Sequence, residues 1–174
     1  MEGHTTTVAL TMNAPLPLNV RFDINGLVQA IAHNHSTDRL NLALTPVQWD
    51  IVASYFQPFA LAQGQILIEQ GSLDRTLYLL ESGTLSVHYE DEKGRVRLAI
   101  VGPGSAVGEG SFFSHLPRTA TVQAASAAKV WCMTPLRFTE LANRQPALAL
   151  EIAMGLGTVL ARRLVNKPKR IAVT

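Results

Sequence analysis

Val107-Gly-Glu-Gly-Ser-Phe-Phe-Ser-His-Leu-Pro-Arg-Thr-Ala-Thr-Val122 breaks an otherwise regular alternation of apolar and polar residues. A strand does not tolerate Gly108, Gly110 and Pro117 so close together. The spacing therefore predicts a short helical turn after Gly108, with the strand pattern resuming at Thr119. Backbone N–H groups near residues 109–111 would then lack intrahelical partners, an arrangement that suits a phosphate. Arg118 arrives at the start of the next strand, where a guanidinium can fork onto phosphate oxygens. Glu109 adds a carboxylate able to accept from a sugar hydroxyl. Amides, one arginine and one nearby acid together suit a phosphorylated sugar. The residue types alone leave a second possibility open: Glu109 and Arg118 form a structural ion pair beside a turn, worth little in energy.

On both sides of this stretch, from Gln57 to Thr134, the period is two. The β-rich runs are Phe59–Leu61, Ile66–Glu69, Thr76–Leu80, Leu85–Tyr89, Val96–Val101, Ala120–Ala124 and Lys129–Met133. Turns fall between them every seven to twelve residues or so, as in an all-β sandwich or barrel. In Leu85–Glu90 apolar and polar residues alternate, so that strand is expected to bury one face.

Helical spacing governs the flanks. Residues 1–20 read as a flexible leader and 21–56 as a helical segment. Asp23 is a candidate N-cap, followed by a stripe of Ile24, Leu27, Val28 and Ile31. Thr45, Pro46 and Gln48 form a Thr-x-x-Gln capping box with proline at the first helical position. Over 135–166 two further helices are expected. Thr134-Pro135 opens the first and Pro146 the second, with Leu148, Ile152, Leu156, Val159 and Leu160 recurring at three- and four-residue steps. Lys167 and Pro168 are expected to end it, leaving 167–174 as a basic tail. The order is helices, β-block, helices, without the strand–helix alternation of a parallel sheet.

The 107–122 stretch resembles the phosphate-binding cassette of the cyclic-nucleotide-binding domain family, whose pattern is Phe-Gly-Glu-(Leu/Ile)-(Ala/Ser), then Pro-Arg-(Thr/Ala/Ser)-Ala-(Thr/Ser)-Val. Ile68-Glu-Gln-Gly71, Leu77-Tyr-Leu-Leu-Glu-Ser-Gly83 and Val101-Gly-Pro-Gly104 are similar to the family's turn motifs. The resemblance covers about residues 45–165. It implies a mainly β fold: an eight-stranded β-roll of the jelly-roll type over 57–134, with N-terminal helices and a long C-terminal helix. It implies that Glu109 binds the ribose 2′-hydroxyl, that Arg118 pairs with the cyclic phosphate, and that amides near Gly110, Ser111 and Thr119 complete the cradle. Val107, Gly108 and Ala120 complete the ligand-binding set. Val107 stands where the family has Phe, and Gly110 where it has a bulky aliphatic. Glycine is a poor helix former, which bears on affinity more than on binding mode. A hydroxyl at Thr119 permits cyclic GMP without requiring it, and cyclic AMP is favoured.

The resemblance also makes the 135–166 helices a lid and dimerisation element, with a homodimer through Pro146–Val165 and signalling to a protein effector. Relatives that regulate transcription carry a helix-turn-helix after the long helix. The ten residues after Leu164 are too few for one, so direct sequence-specific DNA binding is not expected.

Composition narrows the classes further. Hydrophobic residues at 47% against 16% charged residues mark a globular chain, and a net charge of +2 is too small to imply nucleic acid. No apolar run reaches a membrane span and no secretory signal opens the chain, so a cytoplasmic protein is expected. The lone cysteine, Cys132, reads as a small buried residue. His33 and His35 lack a third ligand at metal spacing, and no nucleophile–base set emerges. Neither catalysis, a metal nor a cofactor is therefore expected, the ligand being cyclic AMP or cyclic GMP. Two alternatives stand beside the sensor: a β-roll interaction protein that has lost nucleotide binding, and a cupin-like metalloenzyme. His115 reads as a solvent-facing loop residue, and Trp49 and Trp131 as core or interface aromatics.

Overall fold

The structure, a computed structural model, describes residues 21–171; the leader expected over 1–20 lies outside the described residues. Helices α1 (Asn25–Ala32) and α2 (Pro46–Ala53) precede strands β1 (Gln57–Leu61), β2 (Ile66–Ile68), β3 (Leu77–Ser82), β4 (Leu85–Asp91), β5 (Gly94–Val101) and β6 (Ala106–Val107). Helix α3 (Glu109–Ser114) follows, then β7 (Thr121–Ala124), β8 (Ala128–Met133), α4 (Pro135–Arg144) and α5 (Pro146–Ile171). The strands form two four-stranded antiparallel sheets, in the orders β1-β8-β3-β6 and β2-β7-β4-β5. This is the expected β-roll with flanking helices. The strand missing from the sequence reading is β6, whose two residues are too short to show a period.

Two cores explain the sequence pattern. Tyr78, Leu80, Val130 and Cys132 point into the roll, against Leu61, Ile68, Leu85, Val107 and Val122. Their neighbours Leu77, Leu79, Trp131 and Met133 face the helices, against Leu27, Trp49, Phe56 and Leu141. Strands β3 and β8 are therefore buried on both faces, and their apolar runs are continuous rather than alternating. Trp131 is fully buried, its indole Nε1 donating to Glu81 Oε2 at 2.6 Å. Cys132 is buried too, and burial pushes its thiol well above the usual range. In β4 the alternation fails at both ends: Ser86 is buried and Tyr89 exposed. Burial instead falls off along the strand toward the Asp91 end, and the pairing with β5 carries a bulge between Val87 and His88, with the extra residue on β5.

The caps follow the sequence with one change. Thr45 and Gln48 exchange both capping-box hydrogen bonds, at 2.8 and 3.3 Å, a device worth about 1 kcal/mol. Thr134 accepts from the Arg137 amide at 3.2 Å. The cap residue of α1 is Ile24 rather than Asp23, whose carboxylate instead accepts from Asn25 N at 2.9 Å. Glycine is required where α1 meets the roll: a Cβ on Gly104, at φ +81°, would stand 2.3 Å from the Ala30 carbonyl.

One expectation for the last helix is corrected. Pro168 does not end it; α5 continues to Ile171. A proline in the last turn forfeits one hydrogen bond of a helix already more than twenty residues long, which is too little to stop it. The stripe expected at a dimer seam is also used within the chain. Leu148, Ile152, Leu156 and Val159 are buried in the helical core, and Leu160 is half-buried. Gly155 serves that packing, since its Cβ would stand 2.6 Å from Leu42 Cδ2 and 3.3 Å from the Asn41 carbonyl.

Candidate functional site

The site lies where β6 turns into α3. Gly108 makes the turn at φ +82°, and a Cβ there would stand 2.6 Å from Arg118 Nη1 and 2.8 Å from the Thr76 carbonyl. Only glycine satisfies both the backbone angle and the approach of the arginine. The first hydrogen bond of α3 runs from Phe112 N to Gly108 O at 3.2 Å. The N–H groups of Glu109, Gly110 and Ser111 therefore stand outside the helical ladder, as the sequence predicts. At the other end His115 takes a left-handed conformation, φ +61°. Arg75 secures that end, donating to Ser111 O at 3.3 Å, Phe112 O at 2.9 Å and His115 Nε2 at 3.0 Å. His115 is an exposed loop residue, as expected, and its ring is also part of this clamp.

Arg118 is 3% exposed. Its backbone is pinned to the turn before β3, donating to Ser72 O at 2.9 Å and accepting from Gly71 N at 2.8 Å. Its guanidinium donates to Gly108 O at 2.9 Å, Thr76 O at 2.7 Å and Asp74 Oδ2 at 2.5 Å. Its Nε is buried with no hydrogen-bond partner. A buried N–H left unmade is costly and demands a reason. Burial would raise the Asp74 carboxyl, but hydrogen bonds from Arg118 and Thr76, with the Arg118 charge, hold it below its ordinary value.

Glu109, 8% exposed, opens α3 and takes a different partner. Arg163, from α5, donates to Glu109 Oε1 at 2.6 Å, Asp38 Oδ2 at 2.7 Å and Ala106 O at 2.9 Å. Burial would lower this guanidinium's affinity for its proton, but the Glu109 and Asp38 carboxylates more than offset that. The ion pair between Glu109 and Arg118 left open by the sequence is thus not formed; each is paired elsewhere. Val107 lines the roll interior, Ser111 is buried, Ala120 is half-buried, and Gly110 and Thr119 are exposed. Sequence reasoning missed Asp74, Arg75, Asp38 and Arg163. Asp74-x-Thr76 carries a local signal, since Asp74 Oδ1 accepts from Thr76 N at 3.1 Å and Thr76 Oγ1 at 2.7 Å. The others act across long stretches of chain and leave no spacing to read.

Among the described residues no cluster of three His, Cys, Asp or Glu side chains is placed to hold a metal, and no helix is long and apolar enough to cross a membrane. The family profile of the cyclic nucleotide-binding domain matches residues 58–145. The cyclic AMP receptor protein of Thermus thermophilus is 33% identical over 122 residues, 70% of this chain and 55% of that protein. The chain thus spans about half the length of that relative, and smaller fractions of others. The catabolite activator protein structure from Thermus thermophilus superposes with a TM-score of 0.65 at 30% identity, covering 75% of this chain and 60% of that one. A cyclic nucleotide-binding domain from Methylobacillus flagellatus shares the fold with a TM-score of 0.75 at 21% identity, covering 86% and 82%. The profile match spans half of the sequence and includes the buried arginine and the acid that opens α3: the chain belongs to the cyclic nucleotide-binding domain family.

Proposed function

We propose that this chain is a regulatory binding module, not an enzyme, that takes a 3′,5′-cyclic mononucleotide at the start of α3. The cyclic phosphate sits between Arg118 and the amides of Gly110, Ser111 and Thr119, and Glu109 accepts from the ribose 2′-hydroxyl. The observation that carries this reading is the Arg118 guanidinium: buried, held by three acceptors, one of them the carbonyl of Gly108 just before α3, and with its Nε–H unpaired. An anion there supplies the missing acceptor. Cyclic AMP is favoured over cyclic GMP, in line with the name of the 33% identical receptor protein. Calorimetric titration of cyclic AMP into the protein tests this: saturable one-site heat supports it, and no heat with either nucleotide overturns it. A second reading, an interaction protein that keeps the roll without binding nucleotide, draws on the fact that both Glu109 and Arg118 already have protein partners. That reading predicts the null titration.

Signalling runs through α5, because Arg163 ties that helix to Glu109. A ligand shifts the helix only if it binds one helix arrangement better than the other. A homodimer through 146–165 uses the outward face of α5. Ala147, Leu150, Met154, Gly157, Ala161 and Leu164 are exposed there, and they alternate in steps of three and four, as in a heptad seam. No heavy atom lies within 4 Å of a Cβ built on Gly157, which leaves room for a second helix. The effector is a protein that reads the position of this helix.

A further inference from the structure

We propose that Asp38, in the segment joining α1 and α2, is a positioning residue for sugar recognition, acting through Arg163 on Glu109. The inference rests on the cyclic-nucleotide reading above.

Three side chains from distant parts of the chain meet here: Arg163, 17% exposed, between Asp38 at 13% and Glu109 at 10%. Arg163 spends a different nitrogen on each acceptor: Nε on Asp38, Nη1 on Glu109 and Nη2 on the Ala106 carbonyl. A guanidinium is planar, with its donors in a rigid fork, so fixing one edge fixes the direction of the others. Held by Glu109 and Ala106 alone, the long arginine side chain would keep freedom to rotate about its stem, and that freedom would pass to the carboxylate. Asp38 grips the Nε edge and removes it. Only one oxygen of Glu109 is used. Among the described residues Oε2 has no hydrogen-bond partner, so it is the oxygen available to a hydroxyl. The arrangement thus presents Glu109 for acceptance instead of covering it. It also gives the N-terminal segment, the cassette and α5 one shared ionic contact.

The experiment titrates cyclic AMP and its 2′-deoxy analogue into wild type, Asp38→Asn and Asp38→Glu, with thermal melts to confirm folding. Wild type is expected to prefer the ribo form. Asp38→Asn should weaken cyclic AMP by about tenfold while changing the deoxy analogue by about twofold at most, the size expected from one charge-assisted hydrogen bond acting through the hydroxyl. Asp38→Glu should recover part of the discrimination. If Asp38→Asn does not fold, Asp38→Ser takes its place with the same expected outcome. Equal losses for both ligands would make Asp38 merely structural and overturn the proposal. So would unchanged discrimination, equal wild-type affinity for the two ligands, or tighter cyclic AMP binding in the variant, which would make Arg163 an obstruction. A wild type that binds neither ligand defeats the functional reading itself, and this inference with it; a wild type that binds with discrimination indifferent to Asp38 defeats only the inference.

Discussion

Arg118 and Asp74 lie 44 positions apart in the chain and meet at 2.5 Å, guanidinium Nη2 to carboxylate Oδ2. The guanidinium is almost wholly buried, while the Asp74 side chain is 49% exposed. The pair therefore neutralises a buried cation with an acid that remains in contact with water. The arginine also props two carbonyls, so it supports the fold as well as lying in the candidate site.

Replacing Arg118 should accordingly do two things. Arg118→Ala is expected to reduce cyclic nucleotide binding by about tenfold to a hundredfold or more, since it removes the site's buried positive charge together with a charge-assisted hydrogen bond of about 1.5–3 kcal/mol. It should also lower the melting temperature, because the Thr76 and Gly108 carbonyls lose their donor. Calorimetry and a thermal melt read the two effects separately. Binding that survives in a folded Arg118→Ala protein would remove the phosphate site from this position.

The same pair sets a pH dependence. The folded carboxyl of Asp74 holds its proton less readily than its ordinary value of 3.8 implies. A lowered acid contributes stability that is present above that value and is lost as the pH falls through the folded one. Denaturant titrations of wild type and Asp74→Asn should therefore differ at pH 6, and the difference should shrink as the pH falls below 3.8 and through the lowered folded value. A gap that persists unchanged at low pH would remove the ion pair from the account.

Gly108 and Gly110 should respond in opposite ways to the same substitution. Gly108→Ala places a Cβ against Arg118 and a backbone carbonyl at φ +82°, so both stability and binding should fall. At Gly110 no heavy atom lies within 4 Å of a built Cβ and φ is not positive. Gly110→Ala should stabilise α3 by about 0.5–1 kcal/mol and tighten binding by a few-fold at most. Weaker binding in a stabilised Gly110→Ala protein would mean that the bare glycine backbone is itself needed beside the ligand.

Charges on the two faces of α5 should separate packing from assembly. Met154→Glu, on the exposed face at 64%, is expected to give a folded monomer by sedimentation. Leu156→Lys buries an unpaired cation at a fully enclosed position and should destabilise the fold by about 3 kcal/mol or more. A Met154→Glu protein that remains dimeric would place the seam elsewhere.

Nucleotide preference should be modest if it rests on Thr119, which is exposed at the cassette. One hydroxyl contributes about 0.5–1.5 kcal/mol, so Thr119→Ala should shift the cyclic AMP to cyclic GMP ratio by about tenfold or less. A shift of about a hundredfold on that substitution, or cyclic GMP binding about a hundredfold tighter to wild type, would require a second base-specific contact.

The parts legible in the sequence are those written in neighbouring residues. The Thr45–Gln48 capping box, the proline that opens α5 and the helical turn after Gly108 depend on contacts within four positions, and each is found as expected. The continuous apolar runs of β3 and β8 read as strands, but their two-sided burial depends on helices folded over them. The ionic partners of the site were not legible, because Asp74–Arg118 spans 44 positions and Asp38–Arg163 spans 125. The stripe on α5 was legible as a helix face but not as to its neighbour. An apolar surface has no label for what covers it, and Leu156 is as suited to the chain's own core as to a second copy.

The glycine at position 155 has a mechanical consequence. Its side-chain-free surface lets α5 press onto the 41–42 backbone and side chains so closely that this contact acts as a fulcrum. Arg163 lies eight residues beyond it, a lever of about 12 Å of helix. On the proposed reading, a tilt about that fulcrum would displace the C-terminal end most, where Arg163 meets its carboxylates. Leu148, Ile152, Leu156 and Val159 hold the helix in the core on both sides of that contact, so the stretch beyond Val159, tied down through Arg163, is where the proposed effector would find its grip.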